Sequence, residues 1–249
     1  GVQIPDSGGI EIDGAGNPVD KNIRMKIGNA PQSIAVYEDL TAEENLKFFG
    51  QLYGLSKKSL GVRIRWALSF SGLTERKDDR AKTYSGGMKR RLNLACGLIH
   101  DPPLLLLDEP TVGVDPQSRN HIFESIEKLH SEGKTIIYTT HYMEEAQRLC
   151  DRVAIMDNGK ILALDTVKGL LDNYGGMSVI NVKLESLPEK PLPVEGIVDG
   201  NNLRIETAKP LEELAKLSGS GLKFIELNVD RADLETVFLN LTSKRLRDR

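Results

Sequence analysis

The chain has 249 residues, which is enough for one large domain or for a medium-sized domain with a smaller companion. Its composition, 39% hydrophobic and 28% charged, is that of a globular protein with a sizeable core, and its apolar runs are far too short to cross a bilayer. The 33 Lys and Arg against 36 Asp and Glu exclude a nucleic-acid binder that works through overall positive charge, and two isolated cysteines favour a reducing, cytoplasmic compartment.

The first half of the chain predicts mainly helices. The alternating run 9–14 predicts a short, half-exposed strand, and Thr41 with Glu44 three residues later forms a capping box before a helix to Gly54. A charged, helix-favouring stretch covers 59–83. A further helix follows Ser85-Gly86-Gly87 and ends at Asp101-Pro102-Pro103.

The pattern then changes to short apolar runs separated by amphipathic helices. The runs are 104–108, 134–140 and 151–156, and the helices between them are 116–130 and 142–149. This alternation predicts a buried parallel sheet with helices on both faces, which is an α/β fold. Asn158-Gly159 predicts a tight hairpin turn after the third run.

The last part of the chain predicts a small α+β domain. It has strands at 178–184, around 199–202 and at 222–229, and helices at 211–217 and 232–242. We therefore expect one domain over residues 1–175 and a second over 176–249. The final helix has an apolar face at Leu234, Val237, Phe238 and Leu241, which predicts packing either on its own small domain or on a second subunit.

Two carboxylates, Asp108 and Glu109, follow four leucines at the end of the first apolar run. The carboxyl edge of a parallel sheet is where open α/β folds bind ligands. One carboxylate there can hold Mg²⁺, largely through water, while the other orients a water molecule for attack. The alternative is an acidic pair that merely begins a loop.

Ser85, Gly86 and Gly87 stand where a helix begins. Free N–H groups and the helix dipole make such a position an anion site, and glycine lets a phosphate approach the backbone. The alternative is an ordinary N-cap at Ser85 after a flexible loop.

Four motifs in this order resemble the nucleotide-binding domain of ATP-binding-cassette (ABC) transporters. They are Tyr84-Ser85-Gly86-Gly87, the segment Leu104 to Pro110, Gly113-Val114-Asp115-Pro116 and Thr139-Thr140-His141. The resemblance implies a P-loop NTPase (RecA-like) sheet with a helical subdomain over about 38–82. It also implies ATP and Mg²⁺ as cofactors.

The resemblance also implies a role for each matched residue. Ser85, Gly86 and Gly87 are similar to the signature motif that meets the γ-phosphate of ATP held by the opposite subunit, and Asp115 is similar to the D-loop aspartate at the dimer interface. Asp108 resembles the Walker B aspartate on Mg²⁺, and Glu109 resembles the catalytic base. His141 is similar to the switch histidine on the γ-phosphate, and Gln32 is similar to the Q-loop glutamine that serves the metal and the membrane domain.

Two positions depart from the family pattern. Met88 stands where the signature motif usually has Gln, and the chain has no phosphate loop of the form Gly-x-x-x-x-Gly-Lys-Ser/Thr. Its Gly133-Lys134-Thr135 has Lys128 where the first glycine of that motif belongs, and it leads into a strand instead of following one. We expect the chain to begin just downstream of the Walker A lysine and to be truncated at its N-terminus.

The segment 233–242 resembles the terminal helix of daunorubicin-resistance-like, ABC-2 type exporter ATPase subunits. The resemblance implies a subunit that hydrolyses ATP to drive efflux of a drug, lipid or polysaccharide. It also implies a membrane-embedded permease, a second ATPase subunit and a place at the inner face of the cell membrane. The alternative is a non-catalytic fragment that serves dimerisation or regulation of the transporter.

Overall fold

The chain forms two compact units in a computed structural model that describes residues 3–12, 14, 16–186, 192–230 and 232–247. The units are Gly1–Tyr142 and Met143–Arg249. This division by contacts falls earlier than residue 175, and the boundary between independently folding domains at that residue stays a prediction.

The first unit contains a parallel sheet of three strands among the described residues. They are β1 (Ile27–Ala30), β2 (Leu104–Asp108) and β3 (Thr135–Thr139), with β2 in the middle. Ala30 pairs with Leu107, and Asp108 pairs with Thr139. The carboxyl ends of all three strands therefore lie at one edge, as the apolar runs 104–108 and 134–140 predict.

The two faces of this sheet differ in burial. Leu105 and Leu107 are 0% and 2% exposed, whereas Leu104 and Leu106 are only partly buried and Ile137, the partner of Leu106, is 53% exposed. The expectation of helices covering both faces is thus met on one face only within the described residues. The third apolar run is absent from this sheet because its strand pairs with the segment after it.

The described part of the first unit contains the α-helices α1 (Lys21–Arg24), α2 (Ala42–Leu52), α3 (Lys57–Phe70), α4 (Gly86–Leu98) and α5 (Pro116–Ser131). The capping box of Thr41 and Glu44 is present at the start of α2. Apolar side chains of α2, α3 and α4 share one core that includes Leu46, Leu60 and Leu92. This cluster joins α2 and α3 of the predicted helical subdomain, about 38–82, to α4.

Two glycines let α4 approach β1 closely. A Cβ atom on Gly28 would lie 2.6 Å from the carbonyl oxygen of Gly97, and a Cβ atom on Gly97 would lie 2.6 Å from the carbonyl oxygen of Asn29. Such distances are too short for any side chain, so glycine at both positions sets the spacing between helix and strand.

The predicted strand at 9–14 is wrong over its described part. Residues 9–12 form no strand, and the Ile12 N–H donates to the carbonyl of Gly16 at 3.1 Å, which closes a local turn. Ile10 is 53% exposed, so the alternation of apolar and polar residues does not correspond to a buried face here.

The second unit begins with α6 (Met143–Leu149), the hairpin of β4 (Arg152–Asp157) and β5 (Lys160–Thr166), and α7 (Val167–Tyr174). It continues with β6 (Ser178–Leu184), β7 (Ile197–Asp199), β8 (Asn202–Thr207), α8 (Pro210–Gly219), β9 (Phe224–Asp230) and α9 (Leu234–Arg247). The last four strands form an antiparallel sheet in the order β7-β8-β6-β9. The Asn158-Gly159 hairpin and the α+β character of this part are confirmed.

The apolar face of α9 does not pack on the small domain 176–249, which was the first of the two partners that the sequence suggested. Leu234 and Val237, both fully buried, form a core with Ala146, Ile155 and Leu170 of α6, β4 and α7. A separate core joins the four-stranded sheet to α8. Helix α9 therefore packs on the segment before residue 175, which is why the contacts divide the chain earlier than expected.

A histidine at the end of α4 is held in the neutral form. The His100 ring stacks on Tyr53 with 3.5 Å between ring centroids, and its Nε2 lies 3.2 Å from the carbonyl of Ile27. Its Nδ1 is buried without a hydrogen-bond partner among the described residues. Burial lowers the pKa of His100 to about 4, because a protonated ring would need an acceptor at both nitrogens.

This depressed pKa predicts a loss of stability in mild acid. Since the folded state disfavours protonation, the contribution of His100 is fully present above its ordinary pKa of 6.5 and is lost as the pH falls towards about 4. We expect His100→Phe, which keeps the stacked ring but cannot titrate, to flatten the fall in unfolding free energy measured by urea denaturation across this window. Parallel pH profiles for the two proteins would contradict the assignment.

Candidate functional site

The carboxylate of Glu109 joins residues that follow all three strands of the parallel sheet. Gln32 Nε2 donates to Glu109 Oε2 at 2.6 Å, and His141 Nδ1 lies 2.9 Å from Glu109 Oε1. Gln32 stands two residues after β1, Glu109 follows β2 directly, and His141 stands two residues after β3. Parallel strands bring these ends to one edge, where α/β sheets bind ligands.

Glu109 keeps access to solvent in this arrangement. Its side chain is 23% exposed, and that of His141 is 56% exposed. The backbone of Glu109 has a φ of 44°, in the left-handed region that non-glycine residues seldom adopt. Such conformations concentrate at functional sites, where the surrounding structure enforces them.

Thr139, which is close to His141 in the sequence, bonds to both acidic residues. Its hydroxyl donates to Asp108 Oδ1 at 2.6 Å, and the Glu109 N–H points at Thr139, with its nitrogen 3.1 Å from the carbonyl oxygen and 3.2 Å from the hydroxyl oxygen. The register of β2 and β3 places Thr139 opposite Asp108. Its hydroxyl therefore orients the aspartate, and its backbone fixes the turn at Glu109.

These residues fit a magnesium ion by the chemistry of their oxygens. Asp108 is exposed and has one carboxylate oxygen beyond the one bonded to Thr139, and the Gln32 amide, which donates through nitrogen to Glu109, has a carbonyl oxygen as a further ligand. Mg²⁺ binds few protein oxygens and keeps much of its water. No cluster of three or more His, Cys, Asp or Glu suited to a metal occurs among the described residues.

The signature residues form a second group at the start of α4. Ser85 is the N-cap, and its hydroxyl accepts from the Met88 N–H at 3.2 Å. Ser85 and Gly86 are exposed, whereas Gly87 is buried. A Cβ atom on Gly87 would lie 2.4 Å from Ser118 Oγ and 2.9 Å from Asp115 Oδ2, so glycine lets the starts of α4 and α5 meet.

Asp115 caps the neighbouring helix, α5. Its carboxylate accepts from the Ser118 N–H at 2.9 Å, and this backbone hydrogen bond lowers the pKa of Asp115 below its ordinary value. The structure therefore places Asp115 beside Gly87, while Gln32, Asp108, Glu109 and His141 cluster around the strand ends. The predicted site residues fall into these two groups, each held by its own hydrogen bonds.

Lys134, in the one Gly-Lys-Thr of the sequence, stands at the opposite end of the sheet. It directly precedes Thr135, which pairs with the first residue of β2, and its Nζ lies 2.8 Å from Asp101 Oδ1. The lysine thus forms a structural ion pair, far along the strand from Glu109. The interpretation of residues 133–135 as a loop without a phosphate-binding role agrees with this position.

Two site residues lacked any signal in the sequence. Arg90 and Asn93 of α4 are buried and bond to the backbone of the segment that carries Gln32. Arg90 lies in the run Lys89-Arg90-Arg91, which looks like a solvent-exposed basic stretch, and Asn93 interrupts an otherwise apolar helix face. Only the packing of α4 on β1 shows their use.

A parallel sheet with two carboxylates, a glutamine and a histidine at its carboxyl edge, beside a glycine-rich helix start, is an arrangement that suits the binding of a nucleoside triphosphate. A family model described as "ABC transporter" matches residues 1–112. The linearmycin resistance ATP-binding protein LnrL of Bacillus subtilis is 41% identical, with all of this chain and 85% of that protein covered. The chain belongs to the family of ABC transporter ATP-binding proteins, which are ATPases.

Two further comparisons agree with this assignment. The Nod factor export ATP-binding protein I of Cupriavidus metallidurans is 38% identical over all of this chain and 83% of that protein. A solved structure of an ATP-binding subunit of an ABC transporter is 30% identical, with a TM-score of 0.63 over 70% of this chain and 73% of the other. The α/β fold of a P-loop NTPase is thereby confirmed, and the relatives indicate the ATP-binding subunit of an exporter.

Proposed function

We propose that this protein hydrolyses ATP through Glu109, with Gln32, Asp108 and His141 as its partners. The observation that carries the proposal is the Glu109 carboxylate held between the Gln32 amide and the His141 ring, next to Asp108. Each of its oxygens accepts one of these hydrogen bonds and retains a lone pair for a water molecule. Glu109 orients that water and receives its proton as the water oxygen attacks the γ-phosphorus and ADP departs.

The remaining groups act by position and charge. His141 is exposed enough to contact the γ-phosphate of a bound nucleotide, and its contact with Glu109 holds both side chains in place. Asp108 and the Gln32 carbonyl oxygen are the residues that would hold Mg²⁺. When bound, this ion neutralises charge on the phosphate oxygens. The protein thus contributes electrostatic stabilisation and geometry to the reaction.

The two named relatives support a proposal for the cargo class. One is a linearmycin resistance protein and the other a Nod factor export protein, and both are ATP-binding proteins. We propose that this chain powers efflux of a drug, lipid or polysaccharide.

A membrane-embedded permease is the partner that such a role requires. Every helix in the part of the chain that the structure describes is too short or too polar to cross a bilayer. An aromatic patch on the helical subdomain, consisting of Ile34, Tyr37, Phe48 and Leu52, is 39% to 68% exposed, and the Tyr37 and Phe48 rings pack edge to face at 4.9 Å. Exposed apolar side chains that lie close together are typical of an interaction site.

We propose that the aromatic patch binds the permease and that the protein thereby sits at the inner face of the cell membrane. The exposed Ser85 and Gly86, together with Asp115, are proposed to meet ATP and the D-loop of a second ATPase subunit. Exposed N–H groups at the start of α4 support this role, because they suit a phosphate from outside the subunit.

Substitution of Glu109 tests the proposed chemistry. In the protein produced from its complete reading frame, we expect Glu109→Gln to lower ATP hydrolysis by about a hundredfold or more, because a general base contributes factors of that size. ATP binding should persist, since the amide has nearly the same size as the carboxylate and keeps one of its two acceptor oxygens. Glu124→Gln, on the exposed side of α5, is the control. Equal loss in both variants would reject Glu109 as the base.

Residues 1–249 by themselves are expected to bind ATP weakly and to hydrolyse it hardly at all. The sequence contains no Gly-x-x-x-x-Gly-Lys-Ser/Thr, and this loop supplies the backbone N–H groups and the lysine that hold the phosphates. Titration with a fluorescent ATP analogue and a phosphate-release assay measure both properties. Turnover at ordinary family rates that Glu109→Gln abolishes would show the expectation to be wrong.

The permease contact is testable by removing the aromatic patch. Tyr37→Ala combined with Leu52→Ala should weaken co-purification of the membrane partner by roughly tenfold or more, because truncating a central anchor of an interface costs on the order of 1–2 kcal/mol. Ile197→Ala, which truncates a side chain that is 69% exposed in the other unit, is the matched control. Undiminished co-purification of the double variant would place the permease elsewhere.

A further inference from the structure

Helix α4 carries two buried polar side chains behind the Glu109 group. Arg90 and Asn93 are 6% and 4% exposed, and residues three apart lie on the same side of a helix. Asn93 Oδ1 accepts from the Ala35 N–H at 2.9 Å, and its Nδ2 donates to the Pro31 carbonyl at 3.3 Å. The segment 31–35 that carries Gln32 is thus attached to α4.

Arg90 bonds to the backbone on both sides of the Gln32–Glu109 contact. Its Nη1 donates to the carbonyl of Gln32 and lies 3.4 Å from the carbonyl of Pro31. Its Nη2 lies 3.4 Å from the carbonyl of Val112. The Val112 N–H in turn donates to the Glu109 carbonyl at 3.3 Å, which closes the turn 109–112.

The burial of this arginine is costly and calls for an explanation. Burial lowers the pKa of the Arg90 guanidinium, and the negative charge of Glu109 opposes this effect. A buried cation destabilises a protein unless its donors are satisfied, and an apolar side chain of similar volume is often at least as stabilising. The three carbonyl groups satisfy donors of Arg90, and all three belong to the segments that position Gln32 and Glu109.

We propose that Arg90 is a positioning residue for ATP hydrolysis, which fixes the Gln32 backbone relative to the turn after Glu109. Through these contacts it holds the Gln32 amide 2.6 Å from the Glu109 carboxylate. Arg90 acts through Gln32 and does not itself touch the nucleotide. The catalytic consequence rests on the proposed function, whereas the effect on Gln32 does not.

Arg90→Lys is the variant that separates this role from the presence of a charge. A lysine keeps the cation near Glu109, but its single nitrogen cannot reach carbonyls in two directions as the two ends of a guanidinium do. Arg91→Lys is the matched control, because Arg91 is the next residue of α4 and its Nη1 donates to the Ser71 carbonyl at 2.6 Å, within the helical subdomain. The control substitution therefore lies in the same helix as Arg90→Lys, replaces the same residue type and keeps the same charge.

The first experiment observes Gln32 directly. In ¹⁵N-labelled residues 1–249, the side-chain amide of Gln32 is assigned by its disappearance in Gln32→Ala. We expect Arg90→Lys to move this resonance towards that of an exposed glutamine and Arg91→Lys to leave it in place. An unchanged Gln32 resonance in Arg90→Lys would overturn the proposal. Arg90→Gln provides the same comparison if the lysine variant does not fold.

The second experiment measures kinetics in the protein from the complete reading frame, at a temperature where melting curves show all variants folded. Arg90→Lys should lower kcat by about tenfold to a hundredfold, as a small misplacement of a catalytic group does, with little change in the KM for ATP. In a Gln32→Ala background, the same substitution should have little further effect, because residues that act through one another are non-additive. Additive losses, or an equal loss in Arg91→Lys, would overturn the proposal.

The two experiments separate this proposal from the proposed function. If Glu109→Gln leaves hydrolysis unchanged, the proposed function fails, and the Gln32 resonance still decides whether Arg90 positions that side chain. If Glu109→Gln abolishes hydrolysis and Arg90→Lys moves neither the Gln32 resonance nor kcat, the proposed function stands and the role of Arg90 is refuted.

Discussion

The register of three parallel strands is the constraint on which the site depends. Ala30 pairs with Leu107, and Asp108 pairs with Thr139, so the chain leaves β1, β2 and β3 at nearly the same level. Two residues beyond β1 and β3 are enough to bring Gln32 and His141 to the carboxylate of Glu109. A shift of one residue in either pairing would turn these side chains away, because alternate residues of a strand face opposite sides of the sheet.

A second constraint comes from the two glycines between α4 and β1. The backbone of Gly97 lies close to that of Asn29, and the carbonyl oxygen of Gly97 occupies the space that a side chain at position 28 would need. This close contact places α4 where Arg90 and Asn93 reach the carbonyls of Pro31 and Gln32. Packing of small residues and the hydrogen bonds of the site are therefore linked, since a larger residue at position 28 or 97 would separate the helix from the segment that it holds.

Much of this arrangement can be predicted from the sequence where neighbouring residues determine the structure. Four leucines followed by Asp108 and Glu109 predict a buried strand that ends at a ligand edge, and Asn158-Gly159 predicts a hairpin. Strand β1 escaped prediction because Ile27-Gly28-Asn29-Ala30 has no apolar run, and its burial depends on Gly97, almost seventy positions away. The strand expected at 9–14 failed for the converse reason, since its alternation has no partner strand among the described residues.

The contacts of the site that join residues distant in the sequence could not be predicted from one sequence, because they depend on tertiary packing. Thr139 bonds to Asp108 only because β2 and β3 pair in register, and the two acceptors that Arg90 contacts at Gln32 and Val112 are backbone atoms, which any residue type supplies. The apolar face of α9 was evident, but spacing along a helix does not identify what covers it. Its burial against Ala146 and Leu170 followed from tertiary packing alone.

Helix α4 unites the two groups into which the predicted site residues fall. Its first turn presents Ser85 and Gly86 to solvent, its middle holds the Gln32 segment through Arg90 and Asn93, and Gly97 near its end lies against β1. A helix of 13 residues is stiff along its axis, because every turn is hydrogen-bonded to the next. A phosphate bound at the start of α4 and a water molecule bound at Glu109 would therefore both be positioned by residues that α4 holds in place. Helix α4 thus links the proposed anion site at its start to the proposed catalytic carboxylate of Glu109, and Arg90 is the residue of α4 that contacts the backbone on both sides of the Gln32–Glu109 pair.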